Sequence, residues 1–253
     1  MPRTGSPNHD HHQPHPTSPA LVPPQVRELR QRLRILPGRS RTMPLVWGIV
    51  MIMPTNWAAL IVGYWAGKYP GSIGHLYSPG GFRTPVEWLP FALDNGAWGA
   101  HLNGREWDAA AWRDHLRRAA LSGQAPLWAV VPDVVGNMQK TLEMWSDYAA
   151  EVTRYSWPLA FAAQDGMEPS DVPEDAAVVF LGGSTEWKLA SIESWGVAFP
   201  GRLHVARVNT YKRLRICHAA GAVSCDGTGW GRAKGMQWAG LNQYIEEEWG
   251  HAG

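Results

Sequence analysis

From residue 44 onward the chain alternates between short apolar runs and longer stretches with helical spacing. Apolar runs occupy 45–53, 89–93, 127–131, 158–163, 176–181, 203–208 and 222–225, and helical patterns fill 107–121, 137–153, 185–194, 209–220 and 234–248. The runs are rich in Val, Leu, Ala and Phe and carry no polar face, which suits strands covered on both sides in a parallel sheet. A strand followed by a helix roughly every 25–35 residues predicts successive βα units. Seven are visible, and the Pro- and Gly-rich stretch 54–88 has room for another. The pattern therefore predicts an α/β fold, a TIM-type (β/α)8 barrel over residues 44–253, of about the usual 250-residue length. A doubly wound open sheet is the rival, but no GxGxxG turn follows the first run.

Residues 1–43 follow a different pattern. "MPRTGSPNHDHHQPHPTSPALVPP" is rich in Pro, His and Ser without apolar periodicity, which predicts a disordered tail. Its "HDHH" cluster reads as part of that solvated tail, with no metal site assigned. The following "QVRELRQRLRILPGRSR" predicts a short basic helix stopped by Pro37 and Gly38, a segment able to meet phosphates or simply water.

Composition narrows the function classes. Formal net charge is +1 and charged residues make up 18% of the chain, so no global basic field points to nucleic acid, and any such contact must be local. Cys217 and Cys225, the two cysteines, cannot make a disulfide framework or a four-cysteine zinc site. The apolar run "LVWGIVMIMP" is half the roughly 20 residues of a membrane span, and the polar N-terminus has no signal-peptide core. A soluble, cytoplasmic protein is expected. The 15 tryptophans read mainly as packing residues, with some left over for stacking on a base or sugar.

Candidate chemistry sits where each strand ends. Successive runs close with "FALDNGAW" (Asp94, Asn95), "VVPDVVGN" (Asp133), "AFAAQDGM" (Gln164, Asp165), "VVFLGGSTEWK" (Gly182, Gly183, Glu186), "HVARVNT" (Arg207, Asn209) and "VSCDGTGWGR" (Asp226). In a parallel barrel these positions converge on the C-terminal face, where this fold carries its active sites. A lone Asp after a strand often just caps the next helix, and that reading covers Asp133 or Asn209 singly. It fits Asp226 poorly, because glycines follow it and the next helical pattern starts later. Converging carboxylates can attack an anomeric carbon, move protons, or accept hydrogen bonds from the N–H edge of a base. Gln164 adds a paired donor and acceptor. The "GGS" turn offers backbone N–H groups at a helix start, without the GxxxxGK[ST] spacing of a phosphate loop. The set matches a flat heterocycle such as guanine.

"LDNGAW", "VVPDVVGN", "AQDGM", "FLGGSTEWK", "HVARVNT" and "SCDGTGWGR" together resemble the tRNA-guanine transglycosylase superfamily, in particular its short phage and bacterial DpdA-like branch, which puts 7-deazaguanines into DNA. The resemblance runs from about residue 89 to 232 and more loosely from 45. It implies a TIM barrel exchanging guanine in DNA for a free 7-deazaguanine such as 7-cyano-7-deazaguanine, with no cofactor. Asp226 would be the nucleophile at C1′ and Asp94 the general acid/base that contacts the base. Asn95, Asp133, Gln164, Gly182, Gly183, Glu186, Arg207 and Asn209 would surround substrate. Double-stranded DNA would have to flip its guanine out. Arg202, Arg207, Lys212, Arg213, Arg215, Arg232 and Lys234 would grip its backbone, unless they form an ordinary wet surface. Superfamily members often pair, so the resemblance leaves a homodimer open, with no interface legible in the chain. The chain departs from the tRNA enzymes in lacking their zinc-binding cysteines after the nucleophile, and in carrying "GTGWGR" in place of their "PTRxGR". Zinc is therefore not expected, and tRNA is the less favoured polymer. The same carboxylates also leave open an N-glycosidase or glycoside hydrolase, or a module that binds a base or DNA without turnover.

Overall fold

A computed structural model describes residues 49–55, 59–228 and 236–250. The expected disordered tail, its basic segment, Arg232 and Lys234 lie outside the described residues. The apolar runs form strands β1 (Met51–Pro54), β3 (Phe91–Leu93), β4 (Ala129–Val130), β5 (Leu159–Ala163), β6 (Val178–Leu181), β7 (Leu203–Val205) and β8 (Ser224–Gly227). The eighth unit lies in the irregular stretch after β1: helix α1 (Ala59–Lys68) leads to a three-residue strand, β2 (His75–Tyr77). The other helices are α2 (Ala97–Leu102), α3 (Ala109–Leu121), α4 (Met138–Thr153), α5 (Thr185–Ala198), α6 (Tyr211–Ala219) and α7 (Met236–Trp249).

All strand pairs are parallel, in the order β1-β8-β7-β6-β5-β4-β3-β2. The two sheet edges meet at Ile52 and Ile73. There the Ile52 N–H donates to the Ser72 carbonyl at 3.0 Å and the Gly74 N–H donates to the Ile52 carbonyl at 2.9 Å. That short seam brings the sheet round into a barrel, and the expected (β/α)8 architecture is what the chain adopts. No helix among the described residues is long and apolar enough to cross a membrane.

Strand residues alternate between two buried layers, as the two-residue period of a strand requires. Ile52, Phe91, Leu93, Ala129, Phe161, Val179, Leu181, Val205 and Cys225 face outward into the shell shared with the helices. Met51, Met53, Leu76, Ala92, Val130, Ala160, Ala162, Val178 and Phe180 fill the barrel interior together with Trp128 and Ala206. His204, Ser224 and Asp226 fall on the inward parity of β7 and β8 and are also buried. Four of the interior residues are alanines, and two of them toward the C-terminal strand ends, Ala162 and Ala206, border open space above Trp128 and Phe180. Most buried tryptophans (Trp65, Trp112, Trp145, Trp157, Trp195 and Trp249) pack in the outer shell.

The helices are started by residues other than the candidate site residues. Asp108 accepts from the Ala111 N–H, Asn137 from Lys140, Ser184 from Trp187 and Thr210 from Arg213. Neither Asp133 nor Asn209 is a cap, so capping does not account for either.

Helices α5 and α6 approach so closely that Gly196 has no room for a side chain. A methyl there would meet the Ala220 carbonyl oxygen at 1.8 Å. Gly196→Ala is therefore expected to lower unfolding free energy by about 1–3 kcal/mol, read as a lower urea midpoint at unchanged slope.

Candidate functional site

Above the interior alanines the C-terminal ends of the strands enclose a cavity of about 960 Å³. Asp94, Asp133 and Asp226 all line it, with Asn95, Gln164, Gly182, Gly183, Arg207 and Asn209. The structure thus brings together nine of the ten candidate residues. The exception is Glu186, which is exposed in the first turn of α5 and is not part of the lining.

The first carboxylate follows β3. Its chain is held by the Asp94 N–H donating to the Tyr77 carbonyl at 2.7 Å. The neighbouring Asn95 works as a brace. Its Oδ1 accepts the Ala97 N–H at 2.8 Å, and its Nδ2 donates to the Val131 carbonyl at 3.0 Å and to Asp133 Oδ1 at 2.7 Å. Gln164 completes the brace from β5, donating through Nε2 to Asp133 Oδ2 at 2.8 Å while its Oε1 accepts the Gly136 N–H at 3.0 Å. Both Asp133 oxygens are therefore held in place, and each retains a lone-pair direction for a ligand.

Asp226 ends β8 and is only 6% exposed. Its Oδ1 accepts the backbone N–H of Arg207 at 2.5 Å, and its Oδ2 lies 3.9 Å from His204 Nε2. Arg207 has φ of 57°, a left-handed conformation that is uncommon outside glycine. Its guanidinium donates to the Gly183 carbonyl and lies 3.8 Å over the ring of Trp98. Trp98 belongs to α2, which follows β3, on the opposite side of the barrel from β7. The Arg207–Trp98 stack therefore reaches across the mouth. Below this level Lys188, only 3% exposed, donates to the Ala206 carbonyl and pins the turn that carries Arg207.

Crowding and burial set the protonation states. Burial, reinforced by the charges of Asp226 and Asp133, raises Asp94 to about 7. Burial also raises Asp133, to about 6, against the opposing pull of Asn95, Arg207 and Gln164. Lys188 is lowered to about 8 by burial and by the neighbouring Arg207, with Asp226 opposing. Near neutral pH the site therefore offers a carboxyl, Asp94, able to give a proton beside a carboxylate, Asp133, able to accept hydrogen bonds.

Several expectations change on contact with this geometry. The "GGS" turn does not present a row of open amides. The Gly182 N–H donates to the Ala163 carbonyl at 3.0 Å, and the Ser184 N–H is taken by Asp165. Gly183 is needed for another reason: its φ is 60°, and a methyl there would sit 2.2 Å from Asp165 Oδ1. Among the basic residues, Arg213 joins Arg105 in the lining, whereas Arg215 is paired with Glu248 and Arg202 donates to the carbonyls of Ala176 and Ala177. Trp98, His204 and Lys188 were given no role by the sequence pattern. The only available signal was the inward parity of His204, two residues before Ala206 and in register with Ser224. Among the described residues, no group of three or more His, Cys, Asp or Glu side chains could hold a metal ion. The sequence matches no family model and no curated protein.

Because Asp94 holds its proton more tightly folded than unfolded, its contribution favours folding at low pH and is lost as pH rises toward 7. Asp94→Asn removes that penalty. The variant is expected to be more stable than the parent at pH 8, by on the order of 2 kcal/mol, and not more stable at pH 4, as urea denaturation at the two pH values would show.

Proposed function

We propose that the protein is a transglycosylase that exchanges guanine in DNA for a free 7-deazaguanine. One observation carries the reading: Asp94, Asp133 and Asp226 share a single cavity at the barrel mouth, and their surroundings push Asp94 to about 7. The motif set that resembles the guanine transglycosylases supplies the same three carboxylates. At about 960 Å³ the cavity suits a nucleoside rather than a duplex, so the target base would have to leave the stack, at a cost of a few kcal/mol.

The chemistry divides into two balanced halves. An Asp226 oxygen gives a lone pair to C1′, the C1′–N9 bond breaks, and its electron pair goes to guanine N9, which takes the Asp94 proton. The incoming base then gives its N9 proton to Asp94 and attacks C1′, and the C1′–oxygen pair returns to Asp226. The cycle restores both groups, and no oxidant, metal or cofactor enters it. Asp133, fixed by Asn95 and Gln164, is suited to accept from the N1–H and amino edge of the ring. Trp98, 36% exposed and stacked under Arg207, borders the mouth through which the base would enter. Arg105 and Arg213 are the lining cations left for phosphate.

The test is base exchange. Purified protein is incubated with labelled guanine or 7-cyano-7-deazaguanine and either duplex DNA or tRNA, and the nucleosides are resolved by mass spectrometry after digestion. Incorporation into DNA is expected, abolished in Asp226→Asn and reduced about 10²–10⁴-fold in Asp94→Asn. Since Asp94 must start protonated, kcat/KM should fall as pH rises above about 7. Incorporation only into tRNA would replace DNA as the polymer. Abasic sites without incorporation would replace exchange with hydrolysis.

A further inference from the structure

Beneath the nucleophile lies a group that the exchange reading does not use. His204 is fully buried on the inward face of β7. Its ring stacks on Phe180, with centroids 4.8 Å apart and planes at 19°, and meets Trp128 edge-on at 4.8 Å. Packing on two sides fixes the ring plane. Nδ1 lies 2.8 Å from Ser224 Oγ, whereas Nε2 has no hydrogen-bond partner and faces Asp226 Oδ2 at 3.9 Å.

The tautomer follows from these neighbours. If Nδ1 carried the proton, the bare lone pair of Nε2 would face a carboxylate oxygen in a low-dielectric interior. If the Ser224 hydroxyl donates to Nδ1, the proton lies on Nε2 and its N–H dipole faces the carboxylate favourably. The second arrangement pairs Nδ1 with Ser224 and turns an N–H, not a lone pair, toward the Asp226 carboxylate. Burial also holds the imidazole below its ordinary pKa, so it stays neutral.

The geometry points to His204 as a positioning residue for Asp226: an Nε2–H fixed by Ser224 and held toward Oδ2 from inside the barrel, on the side away from the cavity. This rests on the reading that Asp226 bonds to the sugar. At 3.9 Å the contact is longer than a hydrogen bond and acts as a charge–dipole interaction. With the Arg207 N–H on Oδ1, it constrains rotation of the carboxylate from both ends. A donor facing Oδ2 also helps the carboxylate take back the C1′–oxygen electron pair when the second base attacks the sugar ester. Neither effect touches substrate, so removing the imidazole should lower kcat and leave KM nearly unchanged.

Two measurements on the full-length protein decide it. In protein labelled with ¹⁵N-histidine, the ring nitrogens of His204 are expected to report a proton on Nε2, with a signal that moves in Asp226→Asn. A proton on Nδ1, or a signal indifferent to Asp226, overturns the proposal without reference to turnover. In the exchange assay, His204→Phe keeps the stacking but removes the donor, and kcat should fall about three- to tenfold, less than the loss of a full hydrogen bond to a charged group. KM should stay within about twofold. His204→Gln, whose amide nitrogen reaches the same place as Nε2, should recover most of the loss. A loss carried by KM, or no rescue by Gln, overturns the assignment. If the parent protein exchanges no base, the exchange reading falls, while the histidine signals still decide the contact.

Discussion

Three carboxyl groups are crowded into one poorly solvated cavity, where burial makes charge on Asp94 and Asp133 costly, and much of the barrel's upper layer answers to that constraint. Asp94 is driven up to about 7 by burial and by the charges of Asp226 and Asp133. Asp133 is held by two amide donors and rises only to about 6. Asp226 receives a backbone N–H and lies in the field of Lys188, Arg207 and His204. Different surroundings thus assign different tasks to the same side-chain type, as paired acid and base functions require.

The fold makes room for this arrangement with small residues below and unusual backbone above. Ala162 and Ala206 leave the space at the cavity floor, beside Leu76, Val130 and Phe180 and over Trp128. The left-handed turn at Arg207 is what aims its N–H at Asp226 and its guanidinium toward Trp98. The Lys188 ammonium, anchored on the Ala206 carbonyl, supports that turn from the outer shell. A strained residue braced by a buried cation concentrates local cost where the chemistry is proposed to occur.

Strand–helix alternation made the barrel legible, because buried parallel strands are apolar on both faces and leave an unmistakable run. β2 was the exception: three residues among prolines and glycines are too few to show a period. α2 was missed for the same reason, its six residues being started by a left-handed Gly96 rather than by a capping side chain. The convergence of Asp94, Asp133 and Asp226 could be read from strand-end position alone. What each neighbour does could not. Asn95 and Gln164 are braces for Asp133, a matter of hydrogen-bond direction, and the amides of Gly182 and Ser184 are spent within the protein. Glu186 directly follows the lining residue Thr185 in the first turn of α5 but is exposed to solvent and is not part of the lining. Lys188 and His204 escaped notice because only tertiary packing reveals which lysine is buried and what an inward histidine faces.

The proposed exchange turns on a covalent bond between Asp226 and the sugar. The direct measurement is mass spectrometry of the protein quenched in denaturing acid after exposure to DNA without an incoming base, followed by peptide mapping. The account predicts a nucleotide-bearing adduct on the peptide containing Asp226, absent in Asp226→Asn and lost when free guanine is added before the quench. Base exchange proceeding with no adduct on that peptide, or with the adduct on Asp94 or Asp133, would contradict it.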